Sequence, residues 1–295
     1  MKNGKKKIRV FSIVSAVILS LYALIMLYAF YFGFITSVKA DLDFQWNPFS
    51  IPDARFGWHF ENYRIAYQIM YVEVYDSSST EYIRAGEMYL NSIVYAGLAS
   101  ALNVFFALLV SYCCTRFKKY AITRSLYTVA IVVMTIPIVG SLPSQMMVMQ
   151  KLNVYDSVLW VFLAKSSYAS SYFLIFYAAY SGISNTYYEA AELDGAGHWR
   201  IFFSISIPMV IPVITAVFIL LFITYWNDYT TAMMFWPSKP LITRGLYEFQ
   251  TSRNKYATNP VKMAATFIVC LPTMILFIIF QKKIMSNVTM GGLKG

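Results

Sequence analysis

The sequence has 295 residues, of which 58% are hydrophobic and only 13% are charged. About a quarter of the residues of a soluble domain are charged, so this composition excludes an ordinary soluble protein. The three cysteines form no C-x-x-C pair and the two histidines lie far apart, which gives neither a disulfide framework nor a metal site.

Six long apolar runs predict six transmembrane helices, because one bilayer crossing needs about 20 apolar residues. The runs are 10–38, 88–115, 126–150, 157–183, 205–227 and 263–281. We therefore predict an all-α polytopic membrane protein whose termini lie on the same side. The first run is too long for a cleaved signal peptide, so we expect it to remain as the first span.

The distribution of the net charge of +10 predicts the orientation of the chain. With the N-terminus inside, the inner segments are strongly basic, and the outer segments carry nearly equal numbers of basic and acidic residues. The basic outer loop 228–262 is a local exception. Both termini are therefore expected in the cytoplasm, and the basic N-terminus is a topology signal rather than a nucleic-acid site. The predicted organisation is a basic N-terminus with the first span (1–39), an extracytoplasmic loop (40–86) and a membrane core (87–295).

The loop 40–86 is rich in aromatic residues, and Tyr67, Tyr71 and Tyr75 recur at every fourth position. This spacing predicts that the three rings share one face of a helix. The helix would either form a docking surface for an external partner or lie at the level of the lipid headgroups, and we favour the second role.

Polar and helix-breaking residues interrupt the next two spans. Asn91 and Asn103 flank small residues in the second span, a pattern typical of close helix packing with amide hydrogen bonds. Pro137, Gly140 and Pro143 predict that the third span is bent or broken, with its freed carbonyl groups facing protein or a wet cavity.

Lys165 is a charged residue inside the fourth span, and four serines follow it within six residues. A charge at the centre of a membrane helix costs about 2.5–3.5 kcal/mol on insertion scales. Lys165 therefore either lines a pathway and donates hydrogen bonds to a substrate, or reaches outward or pairs with a partner subunit. The residue pattern leaves these roles open.

A polar stretch from Glu189 to Pro212 separates the fourth and fifth spans. Asp194-Gly195 is a turn signal, and Pro208 fits the first turn of a new helix. The stretch therefore predicts a helix, a tight turn, a second helix and then a membrane span.

The same stretch resembles the EAA loop of permease subunits of binding-protein-dependent ABC importers. The positions that match are Glu189, Ala190, Ala191, Asp194, Gly195, Ala196, Ile207, Pro208 and Pro212. The residues Trp226-Asn227-Asp228-Tyr229 and the C-terminal Gly291-Gly292-Leu293-Lys294-Gly295 are similar to segments of sugar permeases, in particular the shorter permease of the maltose-type pair.

The resemblance implies a subunit of a bacterial cytoplasmic-membrane importer for an oligosaccharide or a related carbohydrate. It implies a loop over 185–207 that couples the chain to an ATPase through Glu189, Ala190, Ala191, Asp194, Gly195, Ala196 and Pro208. Its expected partners are a second homologous permease, two ATP-binding subunits and an extracytoplasmic solute-binding protein. Lys165, Trp226, Asn227 and Tyr229 are the candidate residues of the substrate pathway. Whether the substrate is neutral or anionic stays open.

No G-x-x-x-x-G-K-[ST] loop occurs in the sequence, and no pair of a nucleophile and a base stands out. We therefore expect no catalytic residues and no cofactor in this chain, with ATP and magnesium held by the partner ATPase. The alternatives are a stand-alone secondary transporter and a membrane scaffold without a transport role. A secondary transporter predicts inverted repeats and several ionisable residues in the membrane, of which only Lys165 is found.

Overall fold

A computed structural model describes the backbone of residues 2–75, 79–136 and 140–290, and the side chains of residues 12–75, 79–136 and 140–281. The chain divides into two compact units. One contains residues 1–71 and 246–270, and the other contains residues 72–245 and 271–295. Some residues considered in the sequence lie outside the described residues. They are Asp76, Pro137 and the C-terminal residues Gly291 to Gly295.

The described elements are helices α1 (Lys2–Ser37), α2 (Asp41–Trp46), α3 (Glu61–Ile69), α4 (Ala85–Arg116), α5 (Ala121–Thr135), α6 (Leu142–Lys151), α7 (Val158–Lys165), α8 (Ser171–Ser181), α9 (Asn185–Leu193), α10 (His198–Ile201), α11 (Ile207–Trp226), α12 (Tyr229–Met234), α13 (Ile242–Thr251) and α14 (Asn259–Met290), a π-helical turn (Phe202–Ser206), and strands β1 (Tyr71–Tyr75) and β2 (Thr80–Arg84).

In the first unit, α1 packs against the first half of α14. The ring of Phe267 lies 5.2 Å from that of Phe30, and Gly33 lets the two helices approach, since a Cβ there would lie 3.3 Å from the Phe267 ring. The buried Lys39 just beyond α1 donates hydrogen bonds to the Asn47 carbonyl (2.6 Å) and to Ser50 Oγ (3.1 Å). These bonds hold the following loop against the end of α1.

In the second unit, α4 is the central helix and packs against α5, α7, α8 and α11. Its small residues Ala96, Ala99 and Ser100 are fully buried, so neighbouring helices come close to its backbone. The Nδ2 atom of Asn103 donates to the carbonyl of Lys165 (2.9 Å), and that of Asn91 donates to the carbonyl of Pro240 (3.2 Å). The packing role predicted for the second span is therefore confirmed.

The all-α prediction is wrong for residues 71–84, which contain a two-stranded sheet of β1 and β2. Tyr67 belongs to α3, whereas Tyr71 and Tyr75 belong to β1, so the three rings do not share a helix face. In β1, Val72 and Val74 alternate with Tyr71, Glu73 and Tyr75, and Val72 is buried. This two-residue period favours strands, and the spacing of the tyrosines concealed it.

Within the described residues, four helices are long and apolar enough to cross a membrane: Ser12–Ser37, Ala85–Arg116, His198–Trp226 and Asn259–Gln281. They coincide with the first, second, fifth and sixth predicted spans. The third predicted span is instead formed by α5 and α6, and Gly140, between them, has a left-handed φ of 71°. The fourth is formed by α7 and α8, which are separated by the residues after Lys165. The break expected in the third span is confirmed. The fourth breaks because serines offer the backbone competing hydrogen bonds, as in the bond from Ser166 Oγ to the Leu163 carbonyl.

Candidate functional site

The polar stretch between α8 and α11 folds as two short helices joined by a turn, and we call α9, the turn and α10 the helical hairpin. Ser184 caps α9, since its Oγ accepts a hydrogen bond from the Thr186 N–H. At the other end the Asp194 N–H donates to the carbonyl of Ala190 (3.0 Å), and the Ala196 N–H donates to that of Ala191 (2.9 Å). The predicted order of helix, turn and helix is therefore present.

Gly195 makes the turn possible because its φ is +77°, a value that residues with a Cβ rarely adopt. Gly197, two residues later, has an ordinary φ of −71°. The glycine of the Asp194-Gly195 pair therefore has a conformational role that Gly197 does not share.

The two alanines of the hairpin face opposite ways. Ala191 is buried against this chain, whereas Ala190 and its neighbour Glu189 are exposed. Two large apolar side chains stand out from the hairpin, with Leu193 89% exposed and Trp199 65% exposed. This chain leaves both side chains largely uncovered.

The carboxylates of the hairpin differ in their partners. Glu192 accepts a hydrogen bond from Arg116 Nη2 at the C-terminal end of α4 (2.5 Å). Across the part of the chain with described side chains, neither Glu189 nor Asp194 forms an ion pair or a side-chain hydrogen bond. Glu192 therefore fixes the hairpin to its own chain, and the other two acidic groups remain available.

An aromatic cluster completes the attachment of the hairpin to α4. The Arg116 guanidinium lies 4.8 Å from the centre of the Tyr188 ring, and the Phe117 ring meets the His198 ring edge-on at 5.1 Å. Tyr112 lies 5.0 Å from Phe202, the first residue of the π-helical turn. Cation–π and ring contacts of this kind attach the hairpin to α4.

The hairpin continues directly into a long helix. The π-helical turn joins α10 to α11, Pro208 occupies the first turn of α11 as predicted, and Pro212 lies inside α11. The sequence placed the start of the fifth span at residue 205, whereas the apolar helix begins at His198. No loop therefore separates the hairpin from α11.

A second polar cluster surrounds Asp228, just beyond the end of α11. Its Oδ2 atom accepts hydrogen bonds from Lys165 Nζ (2.9 Å), Tyr95 Oη (2.8 Å) and Thr231 Oγ1 (2.6 Å), and its Oδ1 atom accepts one from the Thr231 N–H (3.0 Å). Burial favours a higher pKa for Asp228, but the charge of Lys165 and the bonds from Thr231 outweigh it, so this pKa is lowered. Lys165 therefore has its counter-ion within its own chain.

The break between α7 and α8 is tied to the same cluster. Asn103 Nδ2 donates to the carbonyls of Lys165 (2.9 Å) and Ser167 (3.3 Å), and Tyr225 Oη donates to the carbonyl of Lys165 (3.3 Å). Carbonyl groups freed by a break inside a membrane protein must be satisfied by other parts of the protein. Here Asn103 of α4 and Tyr225 of α11 donate the hydrogen bonds to these carbonyl groups.

The remaining candidates for the substrate pathway lie in different surroundings. Trp226 is 1% exposed, and its ring stacks on Phe222 and packs against Tyr89. Asn227 is exposed, and its Nδ2 atom donates to the carbonyl of Ile223 (2.8 Å). Tyr229 begins α12 and is 42% exposed. In this conformation Trp226 stabilises the junction of α4 and α11.

A pocket of about 460 Å³ lies between α6 and α7. Ser144, Gln145, Val148 and Trp160 contribute to its lining. The lining therefore combines one aromatic ring with a few polar groups.

A model of the family of inner membrane components of binding-protein-dependent transport systems matches residues 103–290 of this sequence. The chain belongs to this family. The permease is therefore a multi-pass protein of the bacterial cell membrane, and membership favours binding-protein-dependent transport over a stand-alone secondary transporter or a scaffold.

The permease is similar along most of its length to several characterised relatives. The diacetylchitobiose uptake system permease protein NgcG of Streptomyces coelicolor is 25% identical over 286 residues, which is 96% of this chain and 89% of NgcG. The melibiose/raffinose/stachyose import permease protein MelC of Bacillus subtilis is 26% identical over 221 residues, which is 74% of this chain and 80% of MelC.

The fold of the permease is also that of a solved importer subunit. A chain in the crystal structure of a bacterial ABC transporter involved in the import of the acidic polysaccharide alginate superimposes with a TM-score of 0.77. The match covers 93% of this permease and 96% of that chain, at 21% sequence identity. At this identity the match shows the fold alone.

Three residues of these two clusters were assigned no site role from the sequence, namely Arg116, Glu192 and Asp228. Asp228 was noted only within the segment 226–229 that resembles sugar permeases, and each of the three forms an ion pair between distant parts of the chain. The signal available for Asp228 was the buried cation Lys165, which required an acidic partner. The pairing of Arg116 with Glu192 carries no signal in sequence spacing, since 76 residues separate them.

Proposed function

We propose that this permease is one transmembrane subunit of an ATP-driven importer for an oligosaccharide or a related carbohydrate. The helical hairpin is the part that receives mechanical work from a separate ATPase subunit. The observation that carries the proposal is a hairpin whose inner side is attached to α4 while Glu189, Leu193 and Trp199 remain exposed.

The coupling follows from the rigidity of that attachment. Leu193 and Trp199 would enter a groove of the ATPase subunit, where buried apolar anchors contribute most of the binding free energy. Glu189 and Asp194 would meet basic residues of the groove. Movement of the ATPase would then turn α4 and α11 as rigid bodies and alternate access to the pathway.

The proposed topology has six spans with both termini and the hairpin in the cytoplasm. Four spans correspond to the continuous helices α1, α4, α10 with α11, and α14. The other two would consist of α5 with α6 and of α7 with α8. The proposed partners are a second homologous permease, two ATP-binding subunits, which hold ATP and magnesium, and an extracytoplasmic solute-binding protein.

The names of two relatives support a carbohydrate substrate. NgcG is named for the uptake of diacetylchitobiose, and MelC is named for the import of melibiose, raffinose and stachyose. Charge does not favour an acidic sugar, because the ammonium group of Lys165 is already neutralised by Asp228. We propose that the substrate contacts the pocket between α6 and α7, since exposed Ser144 and Gln145 would be unfavourable against lipid and suit a water-filled path. We propose that four residues stabilise or line this path, namely Lys165, Trp226, Asn227 and Tyr229.

The test is purification of the tagged chain in mild detergent from its native host, followed by reconstitution. We expect an ATPase and a second permease to be recovered with the chain. We also expect that an oligosaccharide, added with its binding protein, raises the rate of ATP hydrolysis. Recovery of the chain alone, with uptake that continues without ATP, would overturn the proposal.

A further inference from the structure

A second pocket, of about 110 Å³, lies where α4 and α8 end and α9 begins. It is smaller than the pocket between α6 and α7 and has a different character. Its lining includes Arg116, Lys118, Ser181 and Asn185, which all present hydrogen-bond donors. A volume of this size holds one small polar group and a few water molecules.

The donors of this pocket are largely unused within the chain. Over the residues with described side chains, Lys118 forms no ion pair, and its ammonium group lies 5.8 Å above the Tyr177 ring. In the same range, the side chains of Ser181 and Asn185 form no hydrogen bond. Arg116 directs one nitrogen at Glu192 and keeps its other N–H groups, so the carboxylate offsets only part of the positive charge.

The position of the pocket adds to its preference for anions. Asn185 is the first residue of α9, and the N-terminal end of a helix carries a partial positive charge, although Ser184 already accepts hydrogen bonds from the N–H groups of Thr186 and Tyr187. The pocket also lies at the end of the membrane-length helix α4, which stops at Arg116. Basic pockets at the end of a span are suited to the headgroups of anionic lipids.

We propose that this pocket binds a phosphate group, held by Lys118, Arg116, Ser181 and Asn185. The phosphate belongs either to an anionic lipid headgroup or to free phosphate in the cytoplasm. Since Asn185 and Tyr188 belong to both the pocket and α9, an occupied pocket also fixes the hairpin against α4. The proposal concerns binding to this chain alone and does not depend on which substrate is transported.

The experiment measures the thermal unfolding of the full-length chain in detergent while one ligand is titrated. The ligands are short-chain phosphatidylglycerol, inorganic phosphate and short-chain phosphatidylcholine. A ligand that binds the folded state raises the unfolding midpoint with its concentration. A rise with phosphatidylglycerol above that with phosphate identifies the lipid as the source, and equal rises identify free phosphate; both results support the site.

Two variants separate the pocket from general surface charge. Lys118→Gln is expected to weaken binding of the anionic ligand about fivefold, since a basic residue near the membrane surface contributes about 1 kcal/mol. Lys119→Gln removes the same charge from the next residue, which does not line the pocket, and is expected to leave binding within about twofold. Asn185→Ala, which changes no charge, is expected to weaken binding as well.

Equal weakening by Lys118→Gln and Lys119→Gln, with no effect of Asn185→Ala, would overturn the proposal, because only general charge would then matter. Absence of any rise in the midpoint with phosphatidylglycerol and with phosphate would overturn it too. A rise with phosphatidylcholine equal to that with phosphatidylglycerol, and unchanged by Lys118→Gln, would also contradict it, since binding would then not depend on the contact of the phosphate with the pocket.

Discussion

Arg116 at the end of α4 and Glu192 in α9 form an ion pair across 76 residues of sequence. The Arg116 side chain is 17% exposed and that of Glu192 is 40% exposed, so the pair is partly screened by water. A pair of this kind contributes about 1 kcal/mol or less to stability. Its importance lies in the orientation that it gives to the hairpin.

The first prediction concerns this pair. Arg116→Gln and Glu192→Gln are each expected to lower transport while changing the free energy of unfolding by only about 1 kcal/mol. The double charge reversal, Arg116→Glu with Glu192→Arg, is expected to recover part of the lost transport. Arg124→Gln, on the exposed start of α5, serves as the control with an equal loss of charge. Equal transport in all four variants would show that the pair does not orient the hairpin.

The second prediction concerns the turn of the hairpin. Gly195→Ala is expected to destabilise the turn by about 1 kcal/mol, because φ is +77° there, and to lower uptake for each ATP hydrolysed. Gly197→Ala adds the same methyl group where φ is −71° and is expected to have little effect. Gly195→Asn should retain more activity than Gly195→Ala, since asparagine tolerates this conformation. The comparison uses coupled uptake and ATPase assays on reconstituted complexes.

The third prediction concerns the exposed end of the hairpin. Leu193→Ala removes an apolar anchor and is expected to weaken binding of the ATPase subunit about tenfold or more, whereas Leu193→Met is expected to bind nearly normally. Affinity can be measured by titrating the purified ATPase subunit onto the detergent-solubilised chain. Equal affinities of the two variants would show that Leu193 lies outside the interface.

The fourth prediction concerns the ion pair between Lys165 and Asp228. Asp228→Asn leaves Lys165 without its counter-ion and is expected to cost about 2 to 3 kcal/mol of stability, because both side chains are largely enclosed. Lys165→Met together with Asp228→Asn is expected to recover most of that loss. Chemical denaturation in detergent gives both values, and Asp53→Asn, whose partner Arg55 is 70% exposed, is the control.

The same pair predicts the direction of a pH effect. Because the pKa of Asp228 is lowered in the folded chain, its stabilising contribution is complete above the pKa of the unfolded carboxyl group. That contribution is lost as the pH falls through the lowered pKa. Stability that depends on Asp228 should therefore be constant near neutral pH and decline only in acid, and Asp228→Asn should remove that part of the decline.

Local features of the fold were predictable from the sequence, and pairings between distant residues were not. Gly195 and Pro208 have specific backbone requirements, so the turn and the start of α11 could be placed correctly. The four-residue spacing wrongly predicted a helix at Tyr71 and Tyr75, because tyrosine is also favoured in strands. Lys165 marked a polar site, but its partner Asp228 depended on how α7 and α11 pack.

The break inside the fourth span shows the same limit. The serines after Lys165 indicated a polar stretch, but a polar stretch alone does not fix where a helix ends. The break is stabilised by Asn103, which lies more than sixty residues earlier and donates to the freed carbonyls. Only the tertiary structure could bring that amide to the break.

The most direct test of the account is chemical labelling of Leu193→Cys in a variant whose three native cysteines are replaced by alanine. A membrane-impermeant maleimide is added to right-side-out and to inside-out vesicles that contain the permease without its ATPase subunit, and the ATPase is added after labelling. The account predicts that the reagent reaches residue 193 only in inside-out vesicles, and that modification prevents the added ATPase from restoring ATP-driven sugar uptake. Labelling from the outer face, or full uptake after complete modification, would contradict it.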